Sequence, residues 1–585
     1  MEPEKKKMNI KFNVLAIIAI IIFCFALSPK TLQNDTFYTI RIGELIVNNG
    51  IDMQDHFSWH EDLPYTYPHW AYDTGIYLIY HLGEMTGITD GGMLFIYMST
   101  IILACTLGII IYLTNNKLTK NKLVSFIVTL IVMYLLKDFI AARAQLVTFI
   151  LFALTVLFIE NFLETKKKGY LIGLVLISII IANVHVAVWP FFFVVFLPYV
   201  AEYIIATIAE KNIIQRFKIF NQKDIEKTLE KKILNITNST KIDETKKQTK
   251  IEELNKKLEQ AKKQETYETE KLEKIKVRSE ELRESPYKIK VKKNNAVLWL
   301  ILVMIICAFT GLLTPLGNTP YTYLVKTMQG NTTQSISEHL PLTLYNDKTT
   351  MAVLVAFLMI LIFTDTKIKL SDLFMLAGLV FLSFMSRRQV SLLLIIGGFI
   401  FAKLFTYLLE KYDSYGCEKF TKFLTTIIGK ICTIVIIALI AFTIYKPKMN
   451  DAYINSASYP VDACTWMLEN LDVDNIKLYN EYNYGSYLLY RGIPVFIDSR
   501  ADLYAPEFNG TKNEDGEYKG RNIFSDYINV SSIGTYYETK FEEYGITHVI
   551  TTKKSKLNMF ISRDANYSQL YSDSNFIIYE RNVLE

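Results

Sequence analysis

The chain is organised around blocks of apolar residues about 17–25 long, each sufficient to cross the ~30 Å hydrocarbon layer of a bilayer as a helix. Backbone groups inside that layer find no water, so each block must satisfy its own N–H and C=O groups by folding helically. This constraint outweighs length, since 585 residues would otherwise read as several water-soluble domains. Spans are expected at 12–28, 91–114, 121–137, 139–163, 170–188, 190–209, 296–314, 350–366, 370–386, 389–411 and 422–445. A further apolar stretch, 70–87, is interrupted by Asp73, His81 and Glu84. Charges there are costly at the bilayer centre, so this stretch is expected at the interface. The first block does not read as a cleavable signal peptide, because no small-x-small site follows it and the next residues are Pro29 and Lys30.

Charge sets the expected orientation. The net charge is +5, yet residues 211–293 alone hold 24 Lys/Arg against 15 Asp/Glu, so the basic excess is local and informs topology rather than nucleic-acid binding. With 70–87 not crossing, Lys5 to Lys7, Lys117 to Lys122, Lys166 to Lys168, the 211–293 insert, Lys367/Lys369 and Lys411 to Lys422 all fall on the cytoplasmic side. The expected protein is multi-pass in the cytoplasmic membrane, with its N-terminus inside and its C-terminal part extracytoplasmic. Arg387 and Arg388 are the exception, placed at the external surface. The six cysteines form no CxxC pair and four lie in apolar blocks, so neither a metal cluster nor a disulfide framework is implied.

Four regions follow. Residues 1–210 form a membrane domain with a first external loop at 29–90. Residues 211–294 form a charged insert. Residues 295–446 carry further spans and the external loop 315–349. Residues 447–585 read as an α/β domain: a helix at 461–470, strand-like segments at 476–479, 487–490 and 495–497, a helix at 533–544, then strands at 547–551 and 576–579. In the insert, Ile251, Leu254, Leu258, Ala261, Leu272, Ile275 and Leu282 follow a broken 3-4 spacing, predicting a helical arm or hairpin. It serves either as a solvated linker or as a coiled coil with a cytoplasmic partner.

Chemistry is concentrated after the first span. Asn34 to Glu44, Gly50 to Trp59 and Tyr67 to Trp70 gather carboxylates, imidazoles and aromatics beyond what a connector needs, and Asp35 opens an amphipathic stretch fit to lie on a bilayer. The loop resembles that of the bacterial GT-C-type integral membrane glycosyltransferases, among them glycosyltransferase 39 and protein-mannosyltransferase-like enzymes and uncharacterised relatives. The pattern D-x-[FW]-x-x-x-R-x-G-E is met by Asp35, Phe37, Arg41, Gly43 and Glu44, and G-I-x-x-x-D-x-F-S-[WY] by Gly50, Ile51, Asp55, Phe57, Ser58 and Trp59. A third element, W-x-x-H-E-W, is met only by His69-Trp70, without the Glu. Ala142 to Gln145, Ala182 to His185, Leu313 to Gly317, Arg387 to Val390 and Phe496 to Tyr504 resemble later elements, so the resemblance spans nearly everything but the insert.

The resemblance implies a GT-C-like polytopic α-helical membrane protein of about 11–12 transmembrane helices. It further implies transfer of a sugar from a polyprenyl-phosphate donor to a cell-envelope glycan, lipid or protein, with a catalytic carboxylate at Asp35 and Asp55 second. As general base that carboxylate takes the acceptor hydroxyl's proton, and the anomeric carbon inverts. Donor phosphate requires cations at the surface, which points to Arg387 and Arg388, with Arg143, His185 and His69 as further substrate-binding residues. No cofactor is assigned. A divalent cation is admitted, although Asp35, Asp55, His56 and His69 lack diagnostic ligand spacing. Plainer readings stand beside these: Asp35 as a helix cap, Asp55 as a turn former, the histidines as structural, the arginine pair as a lipid-headgroup anchor, and Asp498, Arg500 and Asp502 as a bonded cluster within the α/β domain. The alternative function is a non-catalytic component for envelope polymer assembly or transport.

Overall fold

The computed structural model describes the chain except residues 1–2, 212, 240–243, 285–287, 331, 333–335, 514–517 and 583–585. Among the described residues, five helices are long and apolar enough to cross a membrane: Gly91–Thr119, Ala144–Thr165, Val186–Ala209, Arg387–Tyr412 and Ile427–Lys448. Six shorter apolar helices accompany them: Lys11–Leu27, Lys122–Leu135, Gly169–Val184, Val297–Thr310, Lys348–Phe363 and Leu370–Met385. Each coincides with an expected span, and the chain is a multi-pass membrane protein. The stretch interrupted by charges becomes the separate helix Trp70–Glu84, which is in neither group.

By chain contacts the protein divides into two compact units. The first comprises 1–196, 299–364 and 375–585. Several polar groups on its apolar helices are paired, which lowers their cost in a bilayer: Lys403 Nζ lies 3.3 Å from Glu160 Oε1, Trp189 Nε1 donates to Ser178 Oγ at 3.1 Å, and Tyr112 OH donates to Asn13 Oδ1 at 2.9 Å. The C-terminal region of this unit is built on a four-stranded sheet ordered Leu478–Tyr479, His548–Thr552, Phe576–Arg581, Tyr567–Ser572. Its first pair is parallel and the other two antiparallel.

Several details of this region differ from the sequence reading. Residues 487–490 belong to the helix Tyr482–Tyr490, in which residues 484–489 are all buried. Tyrosine favours strands locally, and a short run buried on every side does not by periodicity distinguish helix from strand. Within the helix, Gly485 lies so close to the next segment that a Cβ would fall 2.0 Å from the Ile497 carbonyl oxygen. Residues 495–497 make a single bridge, Val495 with Ser58, rather than a strand. The expected helix 533–544 is shorter, Tyr537–Tyr544, and an unexpected helix, Ile523–Ser532, precedes it, ending at Ile533 with a left-handed φ of 61°. The strand Tyr567–Ser572 was not foreseen.

The loop 29–90 is part of the same body. Its helix Asn34–Asn49 buries Phe37, Ile40 and Ile42, and Phe37 meets Tyr459 and Tyr487 edge-on at 5.0 and 5.1 Å. Trp59 and Val495 exchange backbone hydrogen bonds across the join, Trp59 N to Val495 O and Val495 N to Phe57 O, both 3.2 Å. Helix Trp70–Glu84 crosses Asn34–Asn49 at Gly43, where a Cβ would lie 2.1 Å from the Asp73 carbonyl oxygen.

The second unit comprises 197–298 and 365–374. Helices Ile213–Thr237 and Glu244–Glu284 pack as the expected hairpin, with Lys223 Nζ 3.4 Å from Glu265 and Lys262 Nζ 3.6 Å from Glu230. Strand Ile289–Lys290 pairs in parallel with Ile368–Lys369. Among the described residues, the buried positions of the hairpin are Gln215, Ala261 and Glu268, with Gln215 Nε2 donating to the Glu268 carbonyl at 2.9 Å. That polar seam gives no support to an apolar coiled coil.

Candidate functional site

A cavity of about 740 Å³ lies within the first unit, and Asp35, His69, Arg143, His185 and Arg388 all line it. Asp35 occupies the first turn of Asn34–Asn49, where the helix dipole favours a carboxylate. The helix's apolar face is buried toward the C-terminal domain, leaving Asp35 at the cavity wall. Arg143 holds an extended conformation immediately before the helix Ala144–Thr165. Its Nη2 lies 2.9 Å from Asp35 Oδ2 and its Nη1 3.2 Å from Glu338 Oε1, so one guanidinium bridges two carboxylates.

Glu338 reaches the site because its segment is zipped to the arginine pair. Arg388 N donates to the Glu338 carbonyl at 3.0 Å and Arg387 N to the Leu340 carbonyl at 2.9 Å. Arg388 faces the main cavity and also a neighbouring one of about 200 Å³, which Arg387 lines with Asp138 and Asp347. Burial tends to raise the Glu338 carboxyl, but Arg143 and Arg388 outweigh it and hold the group below its usual range, so it is an anion at neutral pH. Burial, then Arg388, brings the His339 imidazole down to about 4. His69 falls to about 3 for the same reason, with Arg143 adding to the effect. Its ring packs edge-on against His185 at 4.7 Å between centroids, so His69 contributes a neutral imidazole.

Asp55 lies elsewhere. It is fully buried, with Arg500 Nη1 at 2.6 Å, Ser58 Oγ donating at 2.5 Å and Ser58 N at 3.0 Å. Arg500 also binds Asp498 through Nε at 2.9 Å and Nη2 at 2.7 Å, and Tyr504 OH donates to Asp498 at 2.6 Å. This cluster fastens the loop 29–90 to the C-terminal domain, and Asp55 is not among the residues lining the cavity. Asp502 does line it and accepts from Tyr323 OH at 2.5 Å.

The cavity has two kinds of wall. Val188, Phe191, Leu324, Leu382 and Met385 make an apolar flank, while Tyr482, Asn483, Ser499 and Asp502 of the C-terminal domain make a polar one. Glu338 carries little signal in the sequence, being a lone acid beside a histidine in a loop between spans. The run Tyr482 to Leu488, whose three tyrosines could stack on sugar rings, brings Tyr482 and Asn483 to the cavity. Among the described residues no group of three or more His, Cys, Asp or Glu is placed to hold a metal ion.

No family model matches the chain, and no curated protein matches it in sequence. Among solved structures it is similar to the archaeal oligosaccharyltransferase AglB from Archaeoglobus fulgidus in complex with an inhibitory peptide and a dolichol-phosphate. That match has a TM-score of 0.51 at 13% identity and covers 99% of this chain and 75% of that one. A second match is the apo form of the Archaeoglobus fulgidus oligosaccharyltransferase, with a TM-score of 0.49 at 12% identity, covering 94% and 70%. At this identity the likeness is one of fold: a polytopic helical architecture like that of the archaeal protein, with a sheet-containing C-terminal domain.

Proposed function

We propose that the chain is a membrane glycosyltransferase that moves a sugar from a polyprenyl-phosphate-linked donor to a cell-envelope acceptor at the extracytoplasmic face, in the manner of the bacterial GT-C enzymes it resembles. One observation carries this reading: Asp35, Arg143 and Arg388 share a cavity with an apolar flank on the membrane helices and a polar flank on the C-terminal domain. A lipid-linked donor requires both. The fold likeness to a protein solved with a dolichol-phosphate and a peptide supports it.

In this mechanism the Arg388 guanidinium grips the donor phosphate through paired N–H groups. Asp35 accepts the proton of the acceptor hydroxyl as its oxygen forms a bond to sugar C1. The C1–O bond to phosphate breaks, polyprenyl phosphate leaves with the electron pair, and the single displacement inverts the anomeric centre. Arg143 orients Asp35 by holding one carboxylate oxygen, leaving the other for the proton. Asp55 serves to join loop and domain, and takes no part in proton transfer.

The test is to produce Asp35→Asn, Arg388→Ala and the neighbouring Arg387→Ala separately in cells that depend on the native chain, then compare envelope glycans and lipid-linked sugars by mass spectrometry. The first two are expected to lose a glycan and accumulate its lipid-linked precursor, while Arg387→Ala retains more product. Unchanged glycans and precursors in Asp35→Asn and Arg388→Ala, at normal protein levels, end the reading.

A further inference from the structure

The basic insert carries a surface that the glycosyltransferase reading does not use. Helix Ile213–Thr237 turns one face to its partner helix, and Gln215 on that face is buried. Helical geometry places Phe217 and Phe220 on the opposite face. Each is 68% exposed, an arrangement that water disfavours and that a solvated linker does not need. Lys227 and Lys231, both exposed, continue the same face about two and three turns beyond Phe220. Exposed Arg216 flanks it, and Asp224, one turn beyond Phe220, is the acid on it.

Position supplies the second argument. The apolar helix Val186–Ala209 ends eight residues before Phe217 and eleven before Phe220, so both rings follow closely on the end of the span. The headgroup layer beyond the hydrocarbon is roughly 5–8 Å deep on each side. A helix lying along the surface keeps both phenyl rings at that layer, and the lysines then meet the lipid phosphates. A basic helix with aromatic residues on its outward face is the composition that binds such an interface.

We propose that the Phe217/Phe220 face of helix Ile213–Thr237 docks on the bilayer surface beside its own span. The phenyl rings enter the headgroup layer, and Arg216, Lys227 and Lys231 bind anionic lipid. The docked helix anchors the insert hairpin at the membrane. The reading is independent of the catalytic assignment, since none of these residues lines the cavity.

The test uses the full chain reconstituted in bilayers of phosphatidylcholine alone or mixed with phosphatidylglycerol. Phe217→Cys, in a chain whose six native cysteines are replaced by alanine, is labelled with an environment-sensitive fluorophore, and Lys257→Cys on the partner helix serves as the solvent-facing control. In the anionic bilayer the label at 217 is expected to be blue-shifted and quenched by brominated lipid but not by aqueous iodide, and to revert toward the control in phosphatidylcholine alone. A label exposed to water in both bilayers, as on a face reserved for a protein partner, or one equally buried in both, overturns the proposal. A second measurement leaves the cysteines intact: in anionic nanodiscs, Phe217→Glu/Phe220→Glu is expected to speed amide exchange across 213–237 about tenfold while leaving the apolar helices unchanged. Equal exchange in native and variant chains also overturns it.

Discussion

Replacing Arg500 by Leu tests the cluster that ties the loop 29–90 to the C-terminal domain. Arg500 and Asp55 have side chains 2% and 0% exposed. The guanidinium makes a 2.6 Å bond to Asp55 and two further bonds to Asp498, and stacks over Tyr65 at 4.9 Å. Leucine fills much of the volume but leaves two buried carboxylates without a cation, which costs about 3–5 kcal/mol. That corresponds to roughly two to three and a half decades in local opening. The readout is hydrogen exchange at the Trp59 and Val495 amides, whose bonds cross the join.

The pH trend gives an independent sign. In the native chain burial raises the Asp55 carboxyl, but Arg500 and Ser58 more than offset this and leave it lowered. Its contribution is therefore complete above the unfolded value of about 4 and is lost as pH falls through the lowered folded value. In Arg500→Leu the unpaired carboxylates take up protons more readily than in the unfolded chain, so mild acid should tighten the variant while leaving the native join unchanged. Exchange within threefold of native at both amides, or a variant that loosens in mild acid, would refute the reasoning.

Other expectations follow from the same body. Burial holds the His60 imidazole down at about 4, so its contribution is complete above pH 6.5 and declines as pH falls toward 4, by about 3 kcal/mol at most; His60→Gln should flatten the fall in thermal stability between pH 7 and 5. Phe37→Ala empties a fully buried site facing Tyr459 and Tyr487 and should cost about 3–5 kcal/mol, seen as faster proteolysis of the loop. Gly43→Ala forces a methyl against the Asp73 carbonyl and should lower the yield of folded protein, with about 1–3 kcal/mol lost. Tyr323→Phe removes the donor to Asp502 and should cost about 1–3 kcal/mol, read as a lower thermal midpoint of the purified chain.

Much of the architecture was legible because bilayer physics leaves few options: every stretch of apolar residues chosen from sequence coincides with an apolar helix. The hairpin in the insert was legible for a similar reason, its 3-4 spacing. In the C-terminal domain local patterns were weaker guides. Tyr487 to Tyr490 carries strand-forming side chains, yet it is helical within a run, 484–489, that is buried throughout and so shows no period to read. At the site, Asp35 was conspicuous as an acid opening an amphipathic helix after a span. Glu338 was not, since nothing in a loop of ordinary composition says which carboxylate will meet an arginine nearly two hundred positions earlier.

Linear order was thus enough to settle which segments are helical and apolar and where charged loops interrupt them, because those outcomes depend on hydrophobicity and spacing within some twenty residues. Folding in three dimensions decided that Asp55 is sealed against Arg500 while Asp35 borders a cavity, though both are acids of the same loop. It also decided that Arg388 faces the main cavity while Arg387 lines the smaller one. The reason is physical: what surrounds a carboxylate or a guanidinium is set by segments hundreds of residues away, and desolvation and pairing at close range determine whether the group fastens the fold or remains free to act.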